Sequence, residues 1–103
     1  MCGIVVLHRA GRAQQMQPML DAIVHRGPDD DGIIETGETT LGVRRLAIID
    51  VPGGHQPLAN EDRTLWVAFN GEIYNHRALR GQLEKAGHRF RTASDTEVLV
   101  HGY

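Results

Sequence analysis

Glycine and proline interrupt this chain at short intervals, so every regular element it forms must be short. The breaks are spread along the sequence and do not gather into a linker. No internal repeat or low-complexity tract accompanies them, so the 103 residues read as continuous globular sequence around one hydrophobic core.

The segments between the breaks carry distinct periods. Cys2 to Leu7 is an apolar, β-branched run suited to a buried strand. Met16, Met19, Leu20 and Ile23 fall at helical spacing, which predicts a helix over 15–24 with Pro18 near its first turn. "HRGPDDDG" stops that helix and is expected as a loop whose three aspartates are solvated or paired. "GIIET", a turn at Gly37-Glu38 and "TLGVRRLAIID" predict a hairpin running into a buried strand. "VPGGHQPLAN" reads as a loop and "TLWVAFNG" as a further strand. In "NHRALRGQLEKAGH", Asn75 is the cap candidate, Leu79 and Leu83 share a face, and Gly87 is the stop signal of a surface helix. Ser94 and Glu97 have the spacing of a capping box, which would start a last helix at "EVLVHGY". Strands bunched together with helices between and after them give an α+β class with a mostly antiparallel sheet.

Charge and composition exclude several functions. The formal net charge is −2, without the basic field that nucleic-acid binding requires. No apolar run approaches the roughly 20 residues of a membrane span, and the N-terminus lacks the features of a secretory signal, so neither nucleic acid nor membrane is expected as a partner and the expected location is cytoplasmic.

Cys2 is the only cysteine, so it can form neither an intrachain disulfide nor a two-thiol metal pair. Two readings stand: a small buried hydrophobe, or a nucleophile. If Met1 is removed, as is usual before a small residue, Cys2 carries a thiol and a free α-amine together. An α-amine titrates near ~7.7–8.0 and a thiol near ~8.5, so the amine can take the thiol proton near neutral pH without help from an imidazole. "FNGEIYN" offers a side-chain amide at Asn70 and a backbone N–H at Gly71 for a developing oxyanion; Asn-Gly is also a common hairpin turn. Arg44 and Arg45, adjacent on a strand, must point to opposite faces, so only one can enter a site. Asp95 could bind a cation or simply sit in the favourable first turn of a helix. His8, His25, His55, His76, His88 and His101 show none of the paired spacings of metal ligands, and no metal is expected.

"MCGI", "HRGPDDDG", "RRLAIID", "GGHQPLAN", "FNGEIYNH" and "SDTEV", in this order, resemble the class II (type 2) glutamine amidotransferase domain, most nearly the version that opens glutamine-hydrolysing asparagine synthetases. The resemblance covers 1–103 and implies about the first half of an αββα sandwich of the N-terminal-nucleophile hydrolase type. It implies hydrolysis of glutamine to glutamate and ammonia through a Cys2 thioester, with Asn70 and Gly71 holding the oxyanion. Arg45 is then the carboxylate clamp and Asp95 the ammonium-binding acid, with Glu72, Asn70, Gly71 and backbone groups of Ile48 as further glutamine contacts. His25, Arg26 and Asp29 belong to a loop that folds over the nucleophile. Arg44 is left solvated. The domain itself is expected to use no cofactor; ATP and magnesium would serve a C-terminal synthetase domain of the same polypeptide. A sandwich cut midway leaves edges unpaired, so activity is expected of a longer parent and not of this piece alone. A relative with another acceptor, or a glutamine-binding relic without catalysis, is the alternative.

Overall fold

Along Thr39–Arg45, residues 40, 42 and 44 face one way and 41, 43 and 45 the other, and both faces are largely covered. A strand buried on two sides belongs in the middle of a sheet, and that is where the computed structural model places it. The structure describes residues 2–9, 13–46 and 53–103, the side chains of residues 13 and 14 excepted. Its elements are β1 (Gly3–His8), α1 (Ala13–Ala22), a 3₁₀ turn (Val24–Arg26), β2 (Asp30–Thr36), β3 (Thr39–Arg45), β4 (Leu58–Ala59), β5 (Trp66–Val67), α2 (His76–Lys85) and α3 (Glu97–Gly102). The class is α+β with antiparallel sheets, as the segment pattern predicts.

The first sheet has the order β1-β3-β2, both pairings antiparallel. β2 and β3 are joined at Gly37-Glu38. Gly37 has φ 59° and Glu38 does not share the positive φ, the type II′ pattern that suits the twist of a two-residue hairpin. α1 lies across this sheet, and its Met16 and Leu20, both fully buried, seat on β3 at Gly42, where a side chain would displace them. The opposite face carries Cys2, Ile4 and Val6 of the β1 segment by alternation; Ile4 and Val6 are exposed at 39% and 54%. The second sheet is the two-stranded antiparallel pair β4-β5, against which α3 packs, with α2 against α3.

Several boundaries differ from the expectation. α1 starts two residues earlier than the periodicity suggests and gives way to a 3₁₀ turn. Pro18 therefore falls in the second turn, exposed, where the carbonyl it leaves without an N–H can be hydrated. The strand predicted over "TLWVAFNG" is only Trp66–Val67, paired with a β4 that lies inside the predicted "VPGGHQPLAN" loop. The buried strand after the hairpin ends at Arg45; its predicted continuation over 47–50 lies outside the described residues.

At α2, Asn75 is the N-cap residue but its side chain makes no capping bond. The C-terminus follows the expectation: Gly87 (φ 101°) is the stop, with Gly87 N–H donating to Glu84 O at 3.1 Å and His88 N–H to Leu83 O at 3.0 Å, the two bonds of a Schellman motif. α3 starts at Glu97 as expected, yet the capping box does not form. Ser94 Oγ instead accepts the Thr96 N–H at 3.2 Å, and the Glu97 carboxylate turns back to the N–H groups of Arg91 (2.9 Å) and Thr92 (2.9 Å).

Candidate active site

Strand register brings the first site residues together. Gly3 pairs with Arg44, so one residue further back Cys2 comes opposite Arg45, on the same face of the sheet. On the other side of β3, Asp30 is the partner of Arg45. Arg45 is buried at 5% exposure. Arg44 points to the opposite face, as two consecutive strand residues must. It is not left in solvent, however: its side chain is 12% exposed, donating from Nε to Gly27 O at 2.9 Å and pairing with Asp31 at 3.2 Å. The guanidinium thus ties the "HRGPD" loop to the sheet, a role the sequence reading missed because the loop's carbonyl is invisible to it.

The Cys2 residue is held at two points. Leu46 N–H donates to Sγ at 3.4 Å, and Arg26 Nε donates to the Cys2 carbonyl at 3.3 Å. Arg26 sits in the 3₁₀ turn that opens the "HRG" loop, so this loop holds the backbone of the Cys2 segment. The thiol is half-buried. The α-amine of a processed Cys2 would replace the Met1 peptide link, and Met1 lies outside the described residues.

A cavity of about 240 Å³ opens beside the sulfur, lined by Cys2, Arg45, Asn70, Gly71, Glu72 and Asp95 together with Leu46, Gln56, Phe69, Ser94 and Thr96. It lies below the roughly 300–1,000 Å³ of sites for drug-sized ligands and suits a molecule as small as an amino acid. Of the residues singled out from the sequence as catalytic or glutamine-contacting, Cys2, Arg45, Asn70, Gly71, Glu72 and Asp95 line this cavity, while His25, Arg26 and Asp29 of the "HRGPD" loop do not. Ile48 lies outside the described residues.

The segment after β5 is not a hairpin turn. A type I′ turn needs positive φ at both central residues, and neither Asn70 nor Gly71 has it. Gly71 is required for a different reason: a Cβ there would lie 2.8 Å from the Phe69 ring. Asn70 and Gly71 therefore present an amide and a backbone N–H on an irregular peptide bordering the cavity. Asp95 is 4% exposed, and its Oδ2 accepts the Ile73 N–H at 2.7 Å, which fixes the carboxylate at the cavity wall. Gln56, buried, accepts the Phe69 N–H at 2.8 Å and donates to Thr96 Oγ1 at 3.3 Å. The cavity thus combines one thiol, one buried guanidinium, buried and exposed carboxylates and two N–H donors, a set able to bind a small zwitterion and attack a carbonyl within it.

A separate group joins the β4-β5 connection to α3 and the segment after α2. The histidines scattered along the sequence are not all scattered in space: His88 Nδ1 lies 3.0 Å from Glu61 Oε2, and His101 is hydrogen-bonded through Nδ1 with Glu61 Oε1 at 3.1 Å and through Nε2 with Glu97 Oε2 at 3.2 Å. Among the described residues, Glu61, His88 and His101 are the one group of three whose ligand atoms lie close enough to share a metal ion, within 4.8 Å of one another. Their contacts have hydrogen-bond lengths. The Glu61 carboxyl is held down from 4.5 to about 2, chiefly by its own and the Arg89 backbone N–H groups, against partial desolvation, with His88 and His101 adding to the effect.

The fold and the cavity define an α+β domain built around an N-proximal thiol. By its sequence the chain belongs to the glutamine amidotransferase domain family, whose pattern matches residues 1–103. It is 47% identical over 110 residues to asparagine synthetase [glutamine-hydrolyzing] 1 of Bacillus subtilis (strain 168), 44% over 109 to asparagine synthetase [glutamine-hydrolyzing] 1 of Arabidopsis thaliana and 46% over 109 to asparagine synthetase [glutamine-hydrolyzing] of Sandersonia aurantiaca. Each match takes in all of this chain but only 17%, 18% and 20% of the respective relative. No helix among the described residues is long and apolar enough to cross a membrane.

Proposed function

We propose that this chain supplies the glutaminase site of an asparagine synthetase-like amidotransferase. The observation that carries the reading is the convergence of Cys2, Arg45, Asn70, Gly71, Glu72 and Asp95 on one amino-acid-sized cavity from four separate stretches of chain.

Glutamine enters with its α-carboxylate on Arg45 and its α-ammonium on Asp95, whose carboxylate is aimed by the Ile73 N–H. Glu72 and the backbone around Ile48 complete the grip. With Met1 removed, the Cys2 amine takes the thiol proton and Sγ attacks the side-chain amide carbon. The oxyanion that forms is met by the Asn70 amide and the Gly71 N–H. The protonated amine then gives its proton to the leaving nitrogen, ammonia departs, and a thioester joins Cys2 to the glutamyl carbonyl. Water, deprotonated by the same amine, attacks that thioester and releases glutamate. The αββα arrangement is the fold in which this site is completed. ATP and magnesium serve carboxylate activation in a C-terminal synthetase domain that consumes the ammonia in the cytoplasm; the glutaminase steps require neither.

The test is Cys2→Ala in the protein as its natural gene encodes it. Glutamine-driven asparagine formation and glutamate release should vanish while ammonia-driven synthesis persists. Loss of both, or retention of glutamate release, overturns the reading.

A further inference from the structure

We infer that Gln56 is a positioning residue of this site: it is the strut that fixes the peptide carrying Asn70 and Gly71 relative to the one carrying Asp95. The inference rests on the glutaminase reading above.

Phe69 to Ile73 has no helix or strand of its own, so no ladder of backbone bonds sets its position. Side chains do so at both ends instead, His76 Nδ1 lying 2.9 Å from the Ile73 carbonyl beside the two pins that reach toward Asp95-Thr96. At the far end, the Ile73 N–H donates to Asp95 at 2.7 Å. At the near end, the Phe69 N–H donates to Gln56 Oε1 at 2.8 Å. The same Gln56 amide reaches on through Nε2 to Thr96 Oγ1 at 3.3 Å, next to Asp95 in the chain. The stretch between the pins, Asn70, Gly71 and Glu72, borders the cavity. Both pins therefore refer the oxyanion donors to one short reference segment, Asp95-Thr96.

Gln56 is itself well anchored. It is 5% exposed, and its carbonyl lies against Gly32 of β2 so closely that a side chain at 32 would collide with it. Its backbone is thus set by the first sheet while its side chain reaches the segments around the second. An amide suits this place: its oxygen accepts the Phe69 N–H and its nitrogen donates to the Thr96 hydroxyl. Methionine of similar size does neither, and glutamate would add charge beside Asp95 and Glu72. Oxyanion donors act only when held within about half an ångström of their working position, so loosening the near pin should fall on kcat. Substrate binding should change less, because Arg45 and the Asp95-Ile73 pin stay in place.

The experiment uses the full-length natural protein with Gln56→Met, Thr96→Val and the double variant. Glutamate release is normalised to Cys2 sites titrated with a diazoketone analogue of glutamine, so that misfolded molecules are not counted. Gln56→Met should lower kcat per labelled site at least fivefold, raise KM for glutamine by less than that factor and leave ammonia-driven synthesis unchanged. Thr96→Val should lower kcat alone but add nothing in the Gln56→Met background, since the two remove one linkage. A kcat loss under fivefold in Gln56→Met, or losses that multiply in the double variant, overturns the strut. Should Gln56→Met not fold, Thr96→Val decides: a lowered kcat with KM unchanged supports the strut, and an unchanged kcat overturns it. A native protein that neither releases glutamate nor takes the label overturns the glutaminase reading itself and the strut with it, a result distinct from an active native protein with an equally active Gln56→Met.

Discussion

Arg44 and Arg45 have the same charge and the same reach, and strand alternation alone gives them different work. Arg45 shares a face with Cys2 and borders the cavity, while Arg44 crosses to Gly27 O and Asp31. This separation makes the proposed clamp testable. Arg45→Lys keeps the charge but loses the planar fork, so KM for glutamine should rise about tenfold or more with a smaller change in kcat, measured by steady-state glutamate release. Asn70 is tested by the opposite signature: Asn70→Ala should cut kcat about 10²- to 10³-fold, while labelling of Cys2 by the diazoketone analogue stays quantitative. Cys2 needed no structure to be noticed, because its uniqueness and position are plain in the sequence. Leu46 did: nothing about a leucine announces that its backbone N–H will face a sulfur 44 residues away.

Among the elements, local signals fared according to whether they were completed by neighbours in the chain. The Gly37 hairpin and the Gly87 stop are short-range devices that close within a few residues, and both formed as read. A positive φ at Gly87 is strained for any residue with a Cβ. Gly87→Ala should therefore cost about 1–2 kcal/mol, seen as a lower denaturation midpoint, with kcat per labelled Cys2 unaltered. The capping box failed for the opposite reason. Its glutamate had a better offer from the N–H groups of Arg91 and Thr92 and from His101, so Ser94 was left to bond the Thr96 N–H alone. Strand length in β4 and β5 was likewise beyond local reading. A strand ends where its partner does, and β4 offers β5 only Leu58 and Ala59.

At the scale of the whole molecule, the Cys2–Arg45 end of the first sheet and the irregular segments before α2 and α3 meet at the cavity, and a second set of polar groups ties the β4-β5 connection to α3. Glu61 is the hub, accepting from His88, His101 and the Arg89 N–H. Its carboxyl is lowered from 4.5 to about 2 in the folded state, so the folded state gains from its ionisation. That contribution is fully present above about pH 4.5 and is lost as pH falls towards 2. The stability gap between the native protein and Glu61→Gln, followed by denaturant unfolding at stepped pH, should be widest above pH 4.5 and close on acidification; a gap independent of pH would refute it. The chain spans 17–20% of the length of the relatives cited above, and Ile4 and Val6 remain exposed on the face that bears Cys2.

The sequence alone determined the thiol, the amide and glycine after β5, the choice forced between two adjacent arginines, the hairpin and the helix stop. Each is a property of residue type or of spacing within a few positions, and physical chemistry at that range is set by covalent geometry. Tertiary structure alone decided that Gln56 bridges Phe69 and Thr96, that Arg44 reaches a loop's carbonyl, and that His88 and His101 share one carboxylate. Those partners lie between 13 and 40 residues apart. A hydrogen bond depends on an approach of its heavy atoms to about 3 Å, which only the packing of the elements fixes.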